Sequence, residues 1–219
     1  MDRGEEYRTA LALVNNPRTP RRTALGLIRQ LRPRDMAFLT RNKAVPTEIR
    51  QACEALLREK MQGMPLGVKI TLARMVSEDV VKSMLLNDEP NLIKACFENP
   101  ALKETTVIWL LNHRGIPARV IAFIAGHPKW SAQYHVRFAL VRNSHTPFER
   151  ASEFVHCLKG NDLRFLYNDP TVAVALKVEI EINLERKGQP LAPPRDEGRV
   201  IGMPEDAGDD FSGLYSSTE

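Results

Sequence analysis

The sequence predicts an all-α fold: a right-handed α-α superhelix of about four to five stacked helical units over residues 1–187, followed by a disordered acidic tail over 188–219. Three observations predict it. The segment from Tyr7 to Lys60 recurs from Tyr134 to Lys187 at a constant offset of 127 residues, so Thr19-Pro20 falls on Thr146-Pro147 without a gap. A shorter phrase that closes one helix and opens the next occurs as ALVNNPRT (12–19), ACFENPAL (95–102) and ALVRNSHT (139–146). Apolar residues recur at helical spacing along most of the chain. Because only 6% of the residues are aromatic, Leu, Ile, Val and Ala must build the core, as in helix-on-helix packing.

Taken in order, the first helix is apolar and ends at Asn16, a residue type that tolerates the left-handed closing conformation. Pro17 follows, and the next helix opens with Thr19 as its cap and Pro20 at its first position. Ala24, Leu27, Ile28 and Leu31 then mark one face. RDMAFL (34–39) reads as a short helix whose Asp35 sits near the start, where a carboxylate suits the helix dipole. Pro46 to Lys60, Pro65 to Met75, Ser77 to Leu86 and Pro90 to Phe97 are amphipathic helices, and a degenerate copy of the closing phrase fits near Ala52 to Lys60. Thr105 to Asn112 and Pro117 to Ala125 are apolar nearly all round, which places them in the buried middle of a stack.

The second copy restates the first. Thr146 caps the helix after Asn143, with Glu149 three residues on to complete a capping box. Ala151, Phe154, Val155 and Leu158 repeat the apolar face, and NDLRFL carries Asp162 where the first copy has Asp35. Val172 to Leu184 contains the strand-like VEIEI, but it aligns with IRQACEALL and therefore reads as helix. The closing phrases begin 83 and 44 residues apart, which suggests a unit of about 42 residues and makes the 127-residue offset three units.

VRFALVRNSHTP and ALVNNPRTP resemble the VRxALAxNPxTP-type phrase of bacterial leucine-rich-repeat-variant and HEAT-like repeats. The resemblance covers roughly Tyr7 to Lys187 and is specific at the turns, although the middle units depart from it, with Leu102 where Thr is expected. It implies an α-solenoid that serves as a binding scaffold. It brings no catalytic residue.

Charge divides the chain. Two basic against seven acidic residues from Gly188 onward leave the tail at −5 and, with +4 overall, the body at +9. Arg18, Arg21, Arg22, Arg29 and Arg32, with Arg34 beyond, gather around the helix that begins at Pro20. Cations at a helix N-terminus oppose its dipole at about 0.3–1 kcal/mol each, and Arg22 stands where the other copy has the capping Glu149. A broken local rule in one copy points to selection for something else, such as an anion site for an acidic protein surface or a phosphate group. A protein partner is the first expectation. Nucleic-acid backbone binding is the alternative, although the segment offers only Phe38, read as a core position, for stacking on bases. HEAT-like alkylpurine DNA glycosylases are a weaker alternative, because Trp109 is followed by Asn112 and His113 with no Asp nearby. In the tail, Phe211, Leu214 and Tyr215 stand in an acidic setting and make a candidate docking motif.

No other constellation carries chemistry. Cys53, Cys96 and Cys157 lie far apart in apolar helical patterns and read as small buried hydrophobes. His127, His135 and His145 lack the i, i+4 pairing of helical zinc motifs, and adjacent His156 and Cys157 face different sides of a helix. Glu179 and Glu181 diverge. MQGMPLGVK, with Gly63 and Gly67, is a helix–helix connection rather than a phosphate loop. The recurrence of Tyr7 as Tyr134, and of Asp35 as Asp162, favours structural roles, and Trp109 and Trp130 read as packing residues. The sequence thus predicts no catalytic residue, metal or cofactor. MDRGEEYRTA lacks a secretory pattern and no apolar run reaches the ~20 residues of a membrane span, so a cytoplasmic protein is expected.

Overall fold

A computed structural model describes residues 3–191. These form fourteen helices and no strand: α1 (Arg3–Asn15), α2 (Arg21–Ile28), α3 (Pro33–Arg41), α4 (Thr47–Gln62), α5 (Leu66–Ala73), α6 (Glu78–Met84), α7 (Pro90–Phe97), α8 (Glu104–Asn112), α9 (Ala118–Gly126), α10 (Pro128–Ser131), α11 (Tyr134–Arg142), α12 (Phe148–His156), α13 (Gly160–Asn168) and α14 (Val174–Arg186). VEIEI is helical, as the alignment of the two copies requires. The short α10, in HPKWS, has no counterpart in the sequence reading. No helix is long and apolar enough to cross a membrane among the described residues.

Proline and asparagine punctuate the chain, but by a different mechanism from the one expected. Pro20, Pro46, Pro65, Pro117 and Pro147 are N-caps rather than first helical residues, held at φ between −53° and −58° with extended ψ. Proline suits this place because it needs no N–H there, while its carbonyl accepts the first helical bond, as from Ala24 N and Ala151 N. Thr19 and Thr146 therefore cap nothing. Their hydroxyls turn back and donate to the carbonyls of Leu13 and Leu140, both at 2.6 Å, securing the end of the preceding helix. With Thr146 so engaged, no capping box to Glu149 forms.

Asn143 does not close its helix through the left-handed region either. Asn42 and Asn143 stay extended, at φ −76° and −85°. They work through the side chain, in Asx turns: Oδ1 of Asn16, Asn42, Asn99 and Asn143 accepts from the amide two residues on, at 2.8–3.0 Å. Asp169 does the same with Thr171 at 2.8 Å, and His127 uses Nδ1 toward Lys129 at 3.2 Å.

The side-chain amide nitrogens of Asn42, Asn99 and Asn143 clamp an earlier helix. Asn42 Nδ2 donates to Asn15 Oδ1 (3.0 Å) and Asn143 Nδ2 to the Leu111 carbonyl (2.6 Å). Buried Asn99 reaches both Ala73 O (2.7 Å) and Val76 O (3.0 Å). In this way α3 is tied to α1, α7 to the exit of α5, and α11 to α8.

These turns divide the chain more finely than the 42-residue unit. Asn16 and Asn42 are 26 residues apart with α2 and α3 between them, as are Asn143 and Asp169 with α12 and α13. The degenerate phrase placed at Ala52 to Lys60 falls inside α4 and makes no turn.

All substantial helix contacts join elements at most three apart in chain order. One run passes through α3, α5, α7 and α9, and another through α2, α4, α6, α8, α11 and α13. A single continuous core threads them, from Val14 and Ala24 through Leu57, Val81, Val107 and Leu140 to Leu184. α8 and α9 each bury four of their nine residues, and Trp109 on α8 is 42% exposed, so the all-round apolar pattern does not mean burial on every side.

Candidate partner-binding surface

The five arginines nominated from the sequence do not form one cluster. Arg18 lies in the α1–α2 turn and Arg21 and Arg22 open α2, whereas Arg29 and Arg32 lie beyond its far end. An eight-residue helix separates the two groups by about 12 Å. Arg21 pairs with Glu48, the first-turn carboxylate of α4, at 2.8 Å, and both side chains are well exposed. Such a pair contributes at most about 1 kcal/mol. Arg32 is held over the Tyr7 ring at 4.8 Å, its backbone amide donating to the Tyr7 hydroxyl. Arg18 and Arg22 are exposed, and their guanidinium groups have no ion-pair partner among the described residues. No side chain caps α2, and its first turn holds no acid. Residues 3 to 45 contain ten Arg or Lys against three Asp or Glu, which makes this end of the molecule strongly basic.

Tyr7 and Tyr134 are structural, as their recurrence suggests. Each hydroxyl donates to the carboxylate of Asp35 or Asp162 and accepts the amide of Arg32 or Lys159, locking the α2–α3 and α12–α13 connections. Asp35 and Asp162 occupy the first turns of α3 and α13. Burial first, and then the adjacent carboxylate, push both phenols above their ordinary range.

Phe38, read as a core position, and Trp109, read as a packing residue, are at the surface. Phe38 is 62% exposed, because Met36, Ala37, Leu39 and Thr40 face inward and Phe38 points away from all four. It borders a shallow concavity with Arg41, Asn42 and Met75. Phe165, its counterpart in the second copy, is 58% exposed beside Arg164 and Asn168. Trp109 stacks on His113 with ring centres 4.4 Å apart and carries Lys82 over its face at 5.3 Å. Trp130, by contrast, is buried against Phe97. The sequence signal that could have found Phe38 and Phe165 is their coincidence at the 127-residue offset, both outside the buried stripe of their helices.

Cys53 and Cys96 are buried, and burial pushes their thiols up to about 11 and about 12. Cys157 departs from expectation: it sits past the end of α12 and is exposed. The α8–α9, α11–α12 and α13–α14 turns border a cleft of ≈ 370 Å³ lined by His113, Arg114, Arg142 and His145. No sequence motif marks it, since its residues come from turns far apart in the chain. Among the described residues no three His, Cys, Asp or Glu side chains gather as metal ligands would. Phe211, Leu214 and Tyr215, the tail motif, lie outside the described residues.

No protein-family model, no curated protein and no solved structure matches this chain.

Proposed function

We propose that this protein is a non-enzymatic scaffold, a right-handed helical solenoid of HEAT-like or variant leucine-rich-repeat character, that binds another macromolecule along its surface. The observation that carries this reading is the order of the helix contacts. Each helix packs on neighbours one to three elements away, the pattern of a chain that stacks unit on unit. The Asn42, Asn99 and Asn143 clamps repeat the same link between successive layers. Stacking of this kind leaves a long surface rather than a single pocket.

The partner is a protein bearing an acidic or phosphorylated segment, met at the basic end of the molecule. Arg18 and Arg22 supply guanidinium groups without an ion-pair partner among the described residues, beside a helix start that no side chain caps, and Arg21, Arg29 and Arg32 extend the positive field. To test it, partners captured from the source cell by the wild type are compared with those captured by the Arg18→Glu, Arg22→Glu double variant. Loss of a defined partner supports the reading; identical sets from both proteins refute it.

A second reading is nucleic-acid backbone binding. It is favoured by Phe38, exposed beside Arg41, because an aromatic next to a cation can stack on an unpaired base. Binding of a single-stranded oligonucleotide that weakens steeply with salt and drops on Phe38→Ala supports it. No binding at low salt removes it. Trp109 has a lysine and a histidine as its neighbours, which gives little support to base-excision chemistry there.

A further inference from the structure

The cleft at the α8–α9, α11–α12 and α13–α14 turns has a composition that the fold alone does not require. Its lining is Leu111 to Ile116, Ile121, Ala139, Arg142 to His145 and Thr171, and it includes no carboxylate. The charged side chains in it are Arg114 and Arg142, accompanied by His113 and His145. Gly115, at φ +99°, gives the first turn a backbone shape that side-chain-bearing residues rarely adopt.

The internal duplication supplies a control. Arg142 and Asp169 correspond to Asn15 and Asn42 of the first copy, 127 residues earlier. There the inter-helix clamp is a neutral amide pair at 3.0 Å, while here it is an ion pair at 2.7 Å. Amides therefore suffice to hold these helices together, and the guanidinium is an addition specific to the cleft. Arg142 Nε lies against Asp169 Oδ2 without the alignment to donate. Its terminal nitrogens have no partner among the described residues. Asp169 in turn is committed to Thr171, whose amide and hydroxyl both donate to Oδ1. Arg114 is exposed and has no partner among the described residues.

We infer that this cleft is a binding site for a small phosphate-bearing molecule. Two guanidinium groups present forked donors suited to phosphate oxygens. The Ser144 hydroxyl, which makes no hydrogen bond among the described residues, also lines the cleft and adds a neutral donor. The volume falls within the range of about 300–1,000 Å³ usual for small-ligand sites. The site is separate from the basic α1–α3 end and does not depend on the scaffold reading.

The test is calorimetric titration of the full chain with pyrophosphate at low ionic strength, with acetate titrated alongside. Arg114→Gln is the variant of choice, because Arg114 anchors nothing that would unfold the turn, and Arg186→Gln, exposed in the last turn of α14 and outside both the cleft and the basic α1–α3 end, serves as control. The expected result is a saturable site for pyrophosphate, weakened at least about tenfold by Arg114→Gln and unchanged by Arg186→Gln, with acetate much weaker. Absence of saturable binding, equal binding of acetate, or affinity indifferent to Arg114→Gln would overturn the inference.

Discussion

Replacing Asn99 by alanine tests the turn mechanism more severely than any other single substitution. Asn99 is 3% exposed and makes three bonds: to Ala73 O at 2.7 Å, to Val76 O at 3.0 Å, and from Ala101 N at 2.8 Å. Alanine strands two carbonyls and one amide at the junction of α5 and α7, and each unpaired buried group costs ~1–3 kcal/mol. Partial entry of water brings the expected loss to about 3–5 kcal/mol. Asn16 stands in the same phrase of the sequence but is exposed and makes one side-chain bond, to Arg18 N. Water replaces that bond, so Asn16→Ala is expected to cost under ~1 kcal/mol. Asn99→Asp keeps the acceptor but loses both donations and sets a charge against two carbonyls, so it should fare no better than alanine. Thermal unfolding followed by far-ultraviolet circular dichroism reads the difference as a fall in Tm on the order of 10 °C for Asn99→Ala against a few degrees for Asn16→Ala. If the two alanine variants melt together, the clamp does not hold the layers and the reasoning fails.

Three further outcomes follow from the same geometry. Tyr7→Phe and Tyr134→Phe each remove a phenol that donates to a carboxylate and accepts an amide, so each should cost about 1–2 kcal/mol. The sites share no partner, so the double variant should lose the sum in denaturant unfolding; marked non-additivity would contradict the assignment. Asp169 is held below its ordinary value of 3.8 by the Thr171 hydroxyl and amide, with Arg142 adding to the effect. Its stabilisation is therefore fully present above that value and fades as pH falls through the lower folded value. Asp169→Asn should destabilise at pH 7 and cost progressively less below about pH 4, read from urea midpoints at both ends. Finally, a thiol reagent applied to the native protein near pH 8 should modify Cys157 rapidly and leave Cys53 and Cys96 until unfolding; rapid reaction of all three would contradict their burial.

Helix positions were legible in the sequence because proline and asparagine mark the turns, and turn chemistry is local. What those residues do was harder to read. Thr146 looks like a cap from spacing alone, but its hydroxyl is drawn to the Leu140 carbonyl once the chain doubles back. Phe38 reads as core from composition, yet the inward stripe of α3 passes on both sides of it. Asn143 was read through the backbone preference of asparagine, although its task, like that of Asn42 and Asn99, lies between segments 23 to 32 residues apart in the chain. The basic cleft was invisible for the same reason. Arg114 and Arg142 meet only after α9, α10 and α11 have folded between them. The Arg18 to Arg32 cluster was visible as composition, but sequence proximity concealed that α2 holds its two halves apart.

The scaffold account is tested most directly at its basic end. The wild type and the Arg18→Glu, Arg22→Glu variant would be compared for partner capture at about 50 and about 300 mM salt, with circular dichroism confirming that both are folded. The account predicts a partner retained by the wild type at low salt, weakened at high salt and lost with the two charge reversals. Equal capture by both proteins at both salt concentrations would contradict it.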